Sequence, residues 1–251
     1  MAISGEFVTA LLIILAAGAI SGLAGFGFGL TSVPLLLLIY DPAAVVTVTK
    51  VLTLTTSWVM LIDHWRSIQA RTIFGLLPWA IAGMAGGIAM LSLLDAAVIK
   101  LMASVVIIGF AALLLRGVPR PGGTRANQPW TTAVTGLSSG LLSTSTGLSG
   151  PPVVLLLTLR GTGMHAFRTS VAAYFLTLDL VGLPALLSQG VISLSDITTA
   201  LAFVPAALIG RLAGMRLVRY VSPLTFRRVT LGLLLLTGAI GAIGATLALI
   251  G

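Results

Sequence analysis

Eight apolar stretches, near residues 7–24, 43–62, 72–94, 96–115, 131–142, 168–187, 197–215 and 229–250, constrain this chain most. Each approaches or reaches the roughly 20 residues that span a hydrocarbon core. Only 8% of the residues are charged and the mean hydropathy is +1.13, whereas a soluble domain carries about 25% charged residues. The bilayer is therefore the solvent. The first stretch lacks a basic leading region and is followed by many more, so it reads as part of the mature fold rather than as a cleaved signal. The absence of Cys rules out a disulfide framework and a thiolate metal site. His64 and His165 are expected in loops, and no metal or other cofactor is expected. The formal charge of +8 would suit nucleic acid, but the basic residues cluster between spans, where positive-inside topology accounts for them.

The chain repeats itself. An offset of 118 residues puts Gly18 on Gly136, Gly22 on Gly140, Gly29 on Gly147, Pro34 on Pro152 and Lys50 on Arg168. A second offset of 127 puts Pro78 on Pro205, Gly83 on Gly210, Gly87 on Gly214 and Lys100 on Arg227. Two copies of one unit follow: residues 1–115 and 131–251, joined by a basic linker at 116–130 that holds Pro119, Pro121, Gly122, Gly123 and Pro129. Each copy has a helix, a break, a short apolar segment and three longer spans.

Charge orients the copies. In the first, Arg66 and Arg71 occupy the loop at 63–71, and the later turn carries only Asp95 and Lys100. In the second the loop at 188–196 has no basic residue, whereas the turn at 211–228 carries Arg211, Arg216, Arg219, Arg227 and Arg228. With basic loops inside, corresponding loops fall on opposite sides, which is an inverted-topology repeat. Inversion needs an odd number of crossings per copy. The first helix and its short partner then form either a re-entrant hairpin or two tilted crossings. The hairpin is favoured because 30–40 would be about 16 Å long as a helix, half a bilayer. The expected architecture is all-α and polytopic, with six full spans, two hairpins, and both termini outside.

The breaks carry the chemistry. The first reads Gly25, Phe26, Gly27, Phe28, Gly29, then Leu30, Thr31, Ser32, Val33, Pro34; the second runs from Ser143, Thr144, Ser145, Thr146 and Gly147 through Leu148, Ser149 and Gly150 to Pro151 and Pro152. Each precedes a short helix with Pro in its first turns. Free N–H groups and the positive end of a helix dipole favour an anion there, and Thr31, Ser32, Ser143, Ser145, Thr146 and Ser149 add hydroxyl donors. Phe26 and Phe28 would line or gate the pocket. Gly22, Gly83, Gly87, Gly210 and Gly214 are better read as close helix contacts. The GxGxG string has no βαβ unit around it, so a dinucleotide loop is set aside.

Lys50 and Arg168 each lie 16 residues beyond their equivalent Pro, deep enough that a charge should face a polar cavity or an anion. Snorkelling to an interface is the plainer alternative. Changing either to Met is expected to weaken anion binding more than folding. Asp179, the one acid well inside a span, has three open roles: pairing with Arg168, accepting a coupling proton, or capping a kink near Pro184. Trp58, Trp65 and Trp79 are read as interfacial anchors or core.

The segments GLAGFGFGLTSVPLLL and GLSSGLLSTSTGLSGPPVVLLL, one per copy, resemble the paired signatures of the sulfite exporter TauE/SafE family, also called the four-toluene-sulfonate uptake permease family. The resemblance covers essentially the whole chain. It implies transport of sulfite, sulfonates, sulfoacetate or other organic anions, often outward, and maps the glycines at 25, 27 and 29 and the stretch at 147–152 onto pore-lining positions. Phe26 and Phe28 replace a more Gly-rich run, and STSTG is the chain's own second break, so a bulkier anion than sulfite is an open alternative.

The expected function is secondary transport of a small anion across a bacterial inner membrane by alternating access, driven by protons or membrane potential. The partners are that anion and membrane lipid, not nucleic acid, with monomer and dimer equally open. A channel would use the same donors without saturation. An intramembrane enzyme is disfavoured. The six acids, Glu6, Asp41, Asp63, Asp95, Asp179 and Asp196, place no two on one helix face beside a His or Ser.

Overall fold

The computed structural model describes residues 5–116 and 124–217. Among these residues the fold is entirely helical, as the apolar pattern requires. The α-helices are α1 (Gly5–Ala24), α2 (Phe28–Leu36), α3 (Pro42–His64), α4 (Ala70–Leu93), α5 (Ala96–Arg116), α6 (Pro129–Ser145), α7 (Gly150–Leu159), α8 (Met164–Ser188), α9 (Leu194–Leu201) and α10 (Val204–Leu217). Five of them, α1, α3, α4, α5 and α8, are long and apolar enough to cross a membrane, and α9 with α10, bent by 45°, makes a sixth if the pair is one span. His64 ends α3 and His165 opens α8, so both lie at helix ends rather than in loops.

Prolines set several boundaries. Pro42 and Pro129 each occupy a first position, in α3 and α6, where the missing N–H costs nothing. Pro205 acts differently: it withholds the N–H that would bond residue 201, and the chain tightens there through Phe203 N–H to Ala200 O at 3.1 Å. The apolar run at 197–215 is therefore interrupted, as in a broken span or a re-entrant loop, rather than one continuous helix. Its counterpart Pro78 lies inside an uninterrupted α4.

The short helix of the first copy begins earlier than its proline indicates. It is α2, nine residues from Phe28 with Pro34 near its end, rather than 30–40. At about 1.5 Å per residue it reaches less than halfway across a bilayer. Its partner α1 has the length and composition of a full crossing, which is longer than a shallow hairpin arm needs. The run at 229–250, the pairing of Lys100 with Arg227, and Pro119, Arg120, Pro121, Gly122, Gly123, Arg219 and Arg228 lie outside the described residues.

Helix packing follows small residues. α1 packs along α10, and α4 along α6. In the first pair, a Cβ on Gly18 would come within 2.7 Å of Ala207 O, and Cβ atoms on Gly22, Gly210 and Gly214 would strike the backbones of Arg211, Leu15 and Ala19. In the second, Gly83, Gly87, Gly136 and Gly140 meet the backbones of Leu137, Leu141, Leu76 and Ala80 in the same way. Only hydrogen in place of a side chain permits such approach. Because the offsets pair α1 with α6 and α4 with α10, each crossing is the counterpart of the other. Between them α3 packs on α8, and these two are the most buried of the long helices. Arg160, at the end of α7, fastens the linker by donating from Nε to Ala126 O at 2.9 Å and from Nη2 to Thr132 Oγ1 at 2.7 Å.

The outside is apolar. Leu12, Ile62, Phe74, Val105 and Ile209 are exposed, as suits hydrocarbon. Trp58, Trp65 and Trp79 are also exposed, so they are not core residues.

Candidate functional site

The backbone unwinds at 25–27 and at 146–149. Gly25, Gly27 and Gly147 take φ of 83°, 94° and 78°, in the left-handed region that a side chain disfavours. The two breaks touch: a Cβ on Gly29 would lie 2.8 Å from Gly147 O. They close around one small cavity. The first contributes Gly25, Phe26 and Gly27 with Phe28, Gly29 and Leu30 of α2, and the second contributes Gly147, Leu148, Ser149 and Gly150. Thr49, Thr53 and Ser57 of α3, Ala172 and Phe175 of α8, Ser21 of α1 and Arg211 of α10 complete the wall. Room for water-sized groups amounts to about 30 Å3, which fits a water or two.

The start of α2 points at this space. The first bond of that turn is Thr31 N–H to Gly27 O at 3.1 Å, which leaves the N–H groups of Phe28, Gly29 and Leu30 without an intrahelical acceptor. The start of α7 offers fewer donors, since Pro151 and Pro152 have none. Phe26 leans edge-on against Phe167, with ring centroids 5.8 Å apart.

Most of the hydroxyls expected to face a ligand turn back onto their own helices. Thr31 donates to Gly27 O at 2.9 Å, Ser32 to Phe28 O at 2.8 Å, Ser145 to Leu141 O at 2.8 Å and Thr146 to Leu142 O at 2.9 Å. Thr144 donates across to Met84 O at 2.9 Å. Of that set only Ser149 lines the cavity, and its carbonyl accepts from the buried Ser139 at 2.7 Å. In an apolar medium a hydroxyl one turn below a carbonyl finds that acceptor first.

Lys50 is committed elsewhere. It is 2% exposed and donates to Ser143 Oγ at 2.7 Å and to Asp179 Oδ1 at 3.0 Å. This ion pair joins α3 to α8, takes up the charge of Lys50 within the protein, and does not line the cavity. Among the three roles open to Asp179, the structure places it with a basic partner, but that partner is Lys50 and not Arg168.

Arg168 lies over the first break. A Cβ on Gly25 would come within 2.5 Å of its Cγ, and its Nη2 donates to Gly22 O at 2.7 Å. Arg211, read from sequence as part of a basic turn, is instead 3% exposed inside α10. It donates from Nη1 to Ser21 Oγ at 3.2 Å and to Thr56 Oγ1 at 3.3 Å. The signals that would have found it are its place within the apolar run at 197–215 and the glycines around it, Gly210 and Gly214. Without Arg211, the exposed Arg216 and the undescribed Arg219, Arg227 and Arg228 still carry the charge asymmetry. The hydroxyl wall of α3 also had a signal, its four-residue spacing at 49, 53 and 57.

The profile described as "Sulfite exporter TauE/SafE" matches residues 10–240. The chain belongs to that family. A relative from Cupriavidus necator, described as "Probable sulfite/organosulfonate exporter TauE", is 30% identical over 177 residues, covering 70% of this chain and 67% of that protein. No solved structure matches. Family membership and the spans together make this an integral membrane protein.

Proposed function

We propose that this chain is a secondary transporter that carries a small sulfur-containing anion, of the sulfite, sulfonate or sulfoacetate type, outward across the cytoplasmic membrane. The observation that carries the reading is the meeting of the two breaks, one from each half of the chain, on a single small cavity with helix N–H groups and an arginine in its wall. Such discontinuous helices are how many transporters hold an anion at mid-membrane. The relative from Cupriavidus necator, by its description, supports a sulfur anion. Alternating access follows if residues 1–115 and 131–251 are inverted repeats that rock about the cavity. The reversed loop charges support inversion and put both termini outside.

Flux into proteoliposomes tests this directly. Purified protein is expected to move sulfite or a sulfonate with saturating kinetics, and to move simple carboxylates far more slowly. Carboxylate flux without sulfur-anion flux would remove the substrate assignment, and flux that rises linearly with concentration would remove alternating access.

A further inference from the structure

We propose that Arg168 and Arg211 act together as a site for a divalent oxyanion, and that Arg211, rather than Lys50, supplies the second charge. This rests on the anion-transport reading and narrows it to ligands with two negative charges.

The argument begins with how the two halves differ. The offset that puts Lys50 on Arg168 also puts Ser143 on Gly25, and the contacts agree: Lys50 bonds Ser143, and Arg168 packs on Gly25. The same offset puts Asp179 on Leu61, and the offset of 127 puts Arg211 on Met84. Around Lys50 the chain therefore has an acid and a methionine. At the matching places around Arg168 it has a leucine and a second arginine. The cluster around Lys50 is internally neutral, and the matching cluster around Arg168 carries two positive charges.

Arg211 is buried, Arg168 is half-buried, and both are poorly satisfied. Arg211 has only neutral contacts, two hydrogen bonds longer than 3.1 Å and Met60 Sδ at 3.6 Å, and its Nε has no partner. The Nε of Arg168 also has none. Among the described residues the one ion pair is that of Lys50 with Asp179, so none of their carboxylates is paired with either arginine. Both guanidinium groups reach the last turn of α1, at the adjacent residues Ser21 and Gly22. A buried cation beside a half-buried one, neither with a carboxylate partner among the described residues, is costly. A bound dianion cancels both, and its oxygens accept from planar forks as carboxylates and phosphates do. A monovalent sulfonate would leave one cation unpaired. The small cavity also disfavours a bulky substituent.

Ligand-induced thermal stabilisation of the full chain in detergent, at matched ionic strength, tests the proposal with sulfate and thiosulfate against monovalent methanesulfonate. Wild-type protein is expected to bind the dianions roughly tenfold or more tightly, as befits an added charge-assisted contact. Arg211→Met should abolish that preference, and Arg211→Lys should retain part of it. The double variant Lys50→Met/Asp179→Leu should keep it in full. Equal binding of methanesulfonate and sulfate by wild-type protein overturns the proposal without any variant, as does undiminished selectivity in Arg211→Met. Dianion-selective binding without flux in proteoliposomes supports the site while removing the transporter reading. Sulfonate flux with no dianion preference does the reverse.

Discussion

Lys50→Met is expected to destabilise the folded chain by about 3–5 kcal/mol, the usual loss when one member of a buried ion pair is removed. Methionine nearly matches the lysine stem in volume, so packing is not what fails. The loss comes from Asp179, 4% exposed, whose carboxylate would face an apolar interior without the ammonium now 3.0 Å away. Asp179→Leu should cost a similar amount by stranding Lys50. The double variant Lys50→Met/Asp179→Leu should recover most of the loss, since replacing both charges with well-packed apolar groups is often neutral. Unfolding midpoints of the four proteins in one detergent check this cycle. Additive losses in the double variant would mean the two residues do not interact as described. If this double variant also binds anion normally but no longer responds to a proton gradient, the pair is where coupling resides.

This expectation differs from the one that sequence alone supports, under which Lys50→Met weakens binding more than folding. The depth of Lys50 was legible, because a charge two turns into a span needs a partner. The identity of the partner was not, because Asp179 lies 129 residues away and nothing in either helix's pattern fixes which faces meet. Arg211 failed in the opposite direction. Basic residues near the end of an apolar run normally mark a loop, and only the packing of α10 against α1 shows that this one is inside.

The architecture was more legible than the site. Apolar run length identified α3, α4, α5 and α8, since each must satisfy its backbone internally across the hydrocarbon. Glycines and prolines marked both breaks at the right places. Which break residues face the cavity was lost, because a threonine or serine side chain chooses between a ligand and its own helix carbonyl by geometry. The same limit applies to Pro205 and Pro78: identical residues at equivalent positions, one at a break and one inside a continuous helix.

Gly140→Ala is expected to lower stability by about 2–3 kcal/mol or more, in the upper part of the range for overpacking. Its single added methyl would overlap the carbonyl of Ala80, a backbone atom of α4 that no rotamer change can move aside. Gly22→Ala should cost as much, since its methyl would overlap the carbonyl of Arg211. Gly109→Ala is the control: nothing lies within 4 Å of the added carbon, and alanine in a helix interior is favoured over glycine. Unfolding midpoints should place Gly109→Ala at or above wild type and the other two well below. Midpoints equal to the control would show that the helices do not cross as closely as described. The two sensitive variants should then part in function. Gly140 holds α6 to α4, whereas Gly22 holds the α10 segment that sets Arg211 against Ser21. Forcing that crossing apart displaces Arg211, the charge in the cavity wall. Anion affinity measured below the melting range should therefore fall in Gly22→Ala and hold in Gly140→Ala.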